Sequence, residues 1–204
     1  MSENIKDQIS QAIETYNKYA KAYIAYTKNR LLQFELNDFI AHIPKGAKIL
    51  DVGCGSCRDI DYFKEEGIEV TGIDTSEEII AQAQKEGHEI KKMDARKLTF
   101  KKETFDAIWC MATLADIPKE DNKKVIEQFH KVLKEKGILF IATKEGQGEK
   151  IEQKAQYENA PRFYAYYTKQ EAEELLTKNK FTILKSTIVK DERNKWVEIL
   201  AQKV

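Results

Sequence analysis

Cysteine is scarce in this chain of 204 residues, which holds three, Cys54, Cys57 and Cys110. An odd number cannot close a full disulfide framework, and a reducing compartment suits such a chain. Proline is equally sparse, scattered at Pro44, Pro118 and Pro161. With no Pro/Gly/Ser linker, repeat or low-complexity tract, one domain over residues 1–204 is expected. No apolar run approaches the roughly 20 residues of a membrane span, and Met1 to Ser10 lack the basic-then-apolar layout of a secretory signal. The expectation is a cytoplasmic protein with no membrane partner. A dominant charge is missing too, since Lys+Arg 34 balances Asp+Glu 34. Without a global positive field, a nucleic-acid partner is not expected. What remains, 42% hydrophobic and 33% charged residues, is the composition of a chain that folds around one core and stays in water.

From Ile5 to about His42 the pattern is helical. Tyr16, Tyr19, Tyr23 and Tyr26, spaced 3, 4 and 3 apart, put four phenols along one face of an N-terminal cap. Pro44-Lys45-Gly46 breaks the pattern, and Ala47 to Val52 reads as a buried strand entering a glycine turn. Strand and helix then alternate. Helices are predicted near Arg58 to Glu66, Glu77 to Glu86 and Asp121 to Glu135. Strands are predicted at Glu69 to Ile73, His88 to Met93, Phe105 to Met111 and Gly137 to Thr143. Thr75 and Glu78 have capping-box spacing, and Gly137 suits the stop of the long helix on which Val125, Phe129, Val132 and Leu133 share a face. Alternation of this kind predicts an α/β fold with a parallel sheet covered on both faces. The ending differs, with a second capping box, Thr168 and Glu171, before a helix to about Lys178. Phe181 to Val189 and Trp196 to Gln202 then flank Asp191-Glu192-Arg193-Asn194 as a terminal hairpin that adds an antiparallel strand.

The strongest chemical signal is the strand and turn Ile49-Leu50-Asp51-Val52-Gly53-Cys54-Gly55-Ser56-Cys57-Arg58. In a doubly wound sheet the ligand crevice lies outside the carboxyl ends of the strands, where Gly53 and Gly55 let a ligand approach bare backbone. Asp74 follows 23 residues after Asp51, at the end of the second strand, where an acid can accept both hydroxyls of a ribose. The third glycine of a dinucleotide fingerprint is missing, because Arg58 holds its place. That position disfavours a pyrophosphate, and Arg58 at a helix start offers positive charge to a carboxylate.

These residues resemble the class I S-adenosylmethionine-dependent methyltransferases, particularly the small single-domain bacterial type. The similarity covers Asp51-Val-Gly-Cys-Gly, Gly72-Ile-Asp74-Thr-Ser, Met93-Asp94-Ala95, Phe105-Asp-Ala-Ile-Trp109-Cys-Met-Ala and Leu133-Lys-Glu-Lys-Gly137-Ile-Leu, in the family's order. Tyr16-Asn-Lys-Tyr-Ala-Lys-Ala-Tyr23 is similar to its tyrosine-bearing lead helix. The resemblance implies a Rossmann-like, doubly wound, seven-stranded, mostly parallel sheet with an antiparallel C-terminal hairpin. It implies a helical cap over 1–43 and a core over 44–204. The cofactor implied is S-adenosyl-L-methionine, with Asp51, Gly53 and Gly55 under its methionine part and Asp74 on its ribose. Asp94 would accept from the adenine amino group and Ala95 would offer its amide to the ring. Ile73 or Thr75 would flank the ring, while Cys110 and Met111 would line the pocket. Two departures stand out: Cys57 where the family often has a third glycine, and Asp116 where many relatives have histidine.

The activity expected is transfer of the sulfonium methyl to an unidentified, small-molecule acceptor. Holding two reactants close and dry carries most of such catalysis, so no nucleophile or metal site is required. Asp116, Tyr16 and Tyr23 are the candidates for a catalytic role at the acceptor. The alternatives are a non-catalytic S-adenosylmethionine-binding protein and a nucleotide-dependent oxidoreductase, which Arg58 disfavours. Cys54-Gly-Ser-Cys57 lacks the second ligand pair that zinc needs, so no metal is expected. Arg162-Phe163-Tyr164-Ala165-Tyr166-Tyr167 reads either as a cover over an acceptor or as packing. His42, His88 and His130 read as structural or exposed. The oligomeric state is not legible.

Overall fold

The computed structural model describes residues 10, 12–30, 32–155, 158–191 and 194–204. Nine strands and the helices between them make one seven-stranded sheet and one separate hairpin among these residues. The strands are β1 (Lys48–Val52), β2 (Glu69–Asp74), β3 (Ile90–Lys92), β4 (Phe105–Met111), β5 (Leu133–Lys144), β6 (Glu149–Lys154), β7 (Ala160–Ala165), β8 (Phe181–Lys190) and β9 (Lys195–Lys203). The large sheet runs β3-β2-β1-β4-β5-β9-β8. It is parallel from β3 to β5, whereas β9 pairs antiparallel with both β5 and β8. The mostly parallel sheet and terminal hairpin expected from the sequence are therefore present, with the order reversing between β1 and β4.

Successive residues of each central strand face opposite sides, and both sides are apolar because helices cover both. Leu50, Ile108, Cys110, Leu139 and Ile141 face α6 (Lys119–Val132) and α7 (Lys169–Thr177) in one core that includes Val125, Phe129 and Leu176. Ile49, Ala107, Trp109 and Phe140 face α3 (Gln33–Ile40) and α4 (Arg58–Glu65), together with Phe39 and Phe63. Trp109 stacks on Phe140 with centroids 4.1 Å apart and meets Phe39 and Phe63 edge-on. Its indole N–H donates to the buried Asp59 at 2.9 Å. A further helix against this sheet, α5 (Glu77–Lys85), buries Ile79, Ile80 and Ala83, and α2 (Ala20–Thr27) lies against it. Residues 12–18 form α1.

Several local expectations change. The long N-terminal helical pattern is broken at Tyr19 and again before α3, and its start at residues 5–9 lies outside the described residues, as do Glu192 and Arg193 of the terminal turn. The cap of α5 is Ser76, whose hydroxyl accepts from the Ile79 amide at 3.2 Å, so Thr75–Glu78 is not the box. Thr75 is displaced from the cap because the Ser76 amide is itself held by Asp74. Thr168 and Glu171 do form a reciprocal capping box. Helix α6 ends at Val132 because Leu133 turns extended and pairs with Phe105, and Gly137 therefore lies inside β5 rather than beyond a helix. A side chain at Gly137 would come within 2.8 Å of the Lys134 carbonyl oxygen, which is what requires glycine there. The β6–β7 hairpin, absent from the sequence reading, holds most of the aromatic run from Arg162.

The Trp109 cluster gives the fold its first test. Trp109→Ala removes a fully buried indole and leaves the Asp59 carboxylate short of a donor, so it should cost about 3–5 kcal/mol of unfolding free energy. Urea titration followed by circular dichroism measures it, and an unchanged midpoint would remove this cluster from the core's stability.

Candidate active site

The crevice lies at the carboxyl ends of β1, β2 and β4, where a loop of small residues follows β1. The amides of Gly53 and Cys54 both donate to the Ile73 carbonyl, at 2.8 and 3.0 Å. Beyond that bond the Asp74 carboxylate takes over, accepting from the Gly55 amide at 3.1 Å and from the Ser76 amide at 2.9 Å. Gly53 and Gly55 have φ of 71° and 53°, which glycine adopts without penalty. A side chain at Gly53 would strike the Thr113 hydroxyl at 2.1 Å, and one at Gly55 would meet the Tyr23 phenol at 2.9 Å. Thr113 is fixed there by donating to the Val52 carbonyl at 2.7 Å. Cys57 is also left-handed, at φ 60°, and its buried side chain points into the small cluster with Ile60 and Ile80.

Burial pushes the Asp74 carboxyl above the usual range, and the amides of Ser76 and Gly55 offset that only in part. Asp51, two residues before Gly53, is 2% exposed and its Oδ2 has no hydrogen-bond partner. Burial, then the neighbouring Asp59, holds its carboxyl well above the ordinary range.

A cleft of about 800 Å³ opens over this loop. Asp74, Thr75, Asp94, Ala95 and Met111 lie in its wall, with Ile73, Ile79 and Met93 supplying apolar surface. Asp94 is already engaged, since the Arg96 guanidinium reaches both of its oxygens and the Arg96 amide adds a bond of 2.8 Å. Burial opposes ionisation of Asp94, but the Arg96 contacts outweigh it and hold the carboxyl below its ordinary range. Cys110 does not join the wall expected of it. Strand alternation turns its side chain into the α6 core and exposes Met111 instead, and burial pushes the Cys110 thiol up to about 12.

A second, larger space of about 1550 Å³ adjoins the first. Tyr16, Tyr23, Gly53, Met111, Ala112 and Asp116 belong to the walls of both, and they form the mouth between them. Tyr16 and Tyr23 meet edge-on at 5.1 Å, and the Tyr16 phenol donates to Asp116 Oδ2 at 2.8 Å. Burial raises the Tyr16 phenol well above its ordinary range, with Arg162 opposing and Asp116 reinforcing, so it stays protonated. Arg58 lines the larger space, but its guanidinium forks onto Asp59, at 2.6 and 2.9 Å, and caps the Arg30 carbonyl at 2.7 Å.

The sequence reading places Arg162 and Tyr164 in a run that is either a cover over an acceptor or packing, without the bond that Arg162 Nη2 donates to Asp116 Oδ1 at 2.7 Å. It missed Trp196 and Glu198, which wall the larger space with Tyr164. A usable signal existed for the first two: from Arg162 the run alternates, with Phe163, Ala165 and Tyr167 in the core and Arg162 and Tyr164 on the cavity side, a strand period.

Several known methyltransferases are similar to this chain in sequence or fold. Residues 50–141 match the family described as the methyltransferase domain. The phosphatidylethanolamine N-methyltransferase of Cereibacter sphaeroides is 30% identical over 110 residues, covering 50% of this chain and 53% of that protein. The chain thus spans about half the length of the curated relatives it matches. As a fold, it resembles an S-adenosylmethionine-dependent methyltransferase of Methanosarcina mazei, with TM-score 0.76, 22% identity and coverage of 85% and 98%. It also resembles the 1,6-didemethyltoxoflavin-N1-methyltransferase of Burkholderia thailandensis, with TM-score 0.73, 22% identity and coverage of 95% and 88%. Residues 50–141 thus carry the match to the methyltransferase domain, and the chain as a whole has the fold of S-adenosylmethionine-dependent methyltransferases of known structure.

Proposed function

We propose that this protein transfers the methyl group of S-adenosylmethionine to a small-molecule acceptor held in the larger space. One observation carries the reading: the two cavities share the wall made by Tyr16, Tyr23, Gly53, Met111, Ala112 and Asp116, which brings a donor seated in the smaller up against an acceptor in the larger. The Burkholderia relative, whose structure contains S-adenosylhomocysteine and 1,6-didemethyltoxoflavin, has a fold similar to this one and a small acceptor. The cytoplasm is the proposed location, consistent with three free, buried thiols.

The residues present fit the cofactor. Asp51 Oδ2 is a buried acceptor with no donor in the protein, beside the mouth, and suits the ammonium of the methionine part. Each Asp74 oxygen accepts one backbone amide and keeps a lone pair for a ribose hydroxyl. Ile73, Met93 and Ala95 give the adenine an apolar seat, and Asp94 retains acceptor capacity beside it. Arg58, committed to Asp59, acts by shaping the loop's helix rather than as the first partner of a carboxylate. When bound, the cofactor supplies an electrophilic methyl on a sulfonium, whose thioether is a good leaving group. The chain's part is then to orient the acceptor, exclude water and take a proton. Tyr16, Tyr23 and Met111 close the mouth around the reacting atoms, and proximity of this kind is worth several kcal/mol of barrier.

Titration calorimetry with S-adenosylhomocysteine tests the cofactor. Saturable binding is expected, and Asp74→Ala should weaken it roughly 100-fold while remaining folded. Equal binding by the folded variant would remove Asp74 from the ribose site, and no binding by the parent would sink the methyltransferase reading. Release of S-adenosylhomocysteine from the methyl donor on adding a small-molecule extract separates an enzyme from a binding protein.

The acceptor space has a titratable wall. Glu198, on β9, is pushed up to about 7 by burial, then by Glu35 and Asp38, against relief from Lys185. The folded chain therefore holds this proton more tightly than the unfolded one, a gain present at low pH and lost as pH rises from about 4.3 towards about 7. Glu198→Gln should melt above the parent at about pH 8, with the gap closing towards about pH 4. A gap independent of pH would show that Glu198 titrates normally.

A further inference from the structure

We propose that Arg162 is the positioning residue of the acceptor site, fixing Asp116 so that its carboxylate receives the hydrogen of an aryl hydroxyl or ring N–H. The proposal rests on the reading above that the larger space holds the acceptor.

Arg162 sits on β7 and is only 6% exposed. Its Nη2 donates to Asp116 Oδ1 at 2.7 Å and also contacts the Tyr16 phenol oxygen. Its guanidinium carbon lies 4.4 Å from the Tyr16 ring centre and 4.9 Å from that of Tyr164, so the plane is held between two aromatic faces. Tyr16 supplies the second donor, to Oδ2. Each Asp116 oxygen thus has one fixed donor, and the two donors come from segments 46 and 100 residues distant in sequence. Two fixed donors set the plane of the carboxylate and leave one lone pair on each oxygen. Because Asp116 lies in the walls of both cavities, those lone pairs are available at the mouth.

A buried ion pair contributes little stability beyond what an apolar pair of the same shape would give. What it does supply is a hydrogen acceptor of fixed direction. The walls around it, Tyr23, Tyr26, Tyr164 and Trp196, suit a flat ring. In the transfer, the acceptor's oxygen or nitrogen lone pair forms the bond to the methyl carbon while the sulfur–carbon pair stays on sulfur. The acceptor's bond to hydrogen then breaks towards oxygen or nitrogen, and the proton passes to Asp116 and on to solvent. The proton moves as positive charge grows on the acceptor, towards the carboxylate that Arg162 and Tyr16 hold in place. The methylated product has no hydrogen to offer Asp116, and it leaves.

Phenol and anisole, one with that hydrogen and one with a methyl in its place, are the probes. Their binding to protein saturated with S-adenosylhomocysteine is measured by ligand-observed NMR. Phenol should bind about tenfold more tightly than anisole to the parent. The preference should vanish in Arg162→Gln and Asp116→Ala and survive in part in Arg162→Lys, each variant being measured at saturating S-adenosylhomocysteine. A structural role would weaken both probes alike and leave their ratio intact, so a preserved ratio in Arg162→Gln overturns the proposal. A parent that binds the two equally, or neither, overturns it without needing any variant to fold. Failure of the parent to bind S-adenosylhomocysteine is the separate result that removes the methyltransferase reading.

Discussion

The Asp74 carboxylate ties the crevice together. One oxygen holds the Gly55 amide of the loop after β1, and the other holds the Ser76 amide that opens α5. Just below, the Ile73 carbonyl takes two further amides of the same loop. Parallel pairing of β1 with β2, Asp51 beside Gly72 and Val52 beside Ile73, sets these groups at hydrogen-bond distance. Two parts of the first cavity's wall hang from this point: the glycine turn directly, and α5 through Ser76. Its cost is visible in the chemistry of Asp74 itself, whose burial raises the carboxyl despite the amides of Ser76, Gly55 and Thr75. A group that is stable only because amides face it from one side is a strong acceptor on the other.

The two cavities draw on different parts of the chain. The smaller is walled largely by residues 50–141, the segment that matches the methyltransferase domain. The larger takes Tyr26 from α2 and Arg30 from the turn after it, Arg162 and Tyr164 from the β6–β7 hairpin and Trp196 and Glu198 from β9, all outside that segment. Thr15 donates to the Pro161 carbonyl and Tyr19 to Glu158, so the N-terminal helices and the hairpin are joined over the mouth. The division has a physical basis: a fixed donor needs one set of contacts, whereas each acceptor needs its own. The sequence carries both, but only the first repeats from protein to protein in a recognisable order.

That division also explains what was legible. The alternating strands and helices could be read because both sheet faces are buried, which leaves uniformly apolar strands between amphipathic helices. Asp51, Gly53, Gly55 and Asp74 could be read because a strand, a turn and an acid at fixed distance have few other uses. The Ser76 cap was obscured by Thr75 one residue earlier, which has the better box spacing, and only the Asp74 bond to the Ser76 amide decides between them. Gly137 looked like a helix stop because a crowded glycine in a strand has no sequence mark distinct from one at a helix end. The partnership of Arg58 with Asp59, and of Arg162 with Asp116, was out of reach for different reasons. The first joins neighbours on a helix that do not ordinarily face each other, and the second spans 46 residues.

Cys57 shows why a departure from the glycine pattern is tolerated. Its backbone is left-handed, the conformation for which glycine is usual, at a cost on the order of 1 kcal/mol. The thiol is fully buried against Ile60 and its neighbours, and that burial returns a comparable amount. A larger side chain could not enter the cluster, and glycine would leave a hole in it. The loop thus keeps its path by trading backbone strain for packing on the side away from the cavity, while the cavity side still presents Gly53 as bare backbone and Asp74 as one carboxylate, with Gly55 beneath the Tyr23 phenol.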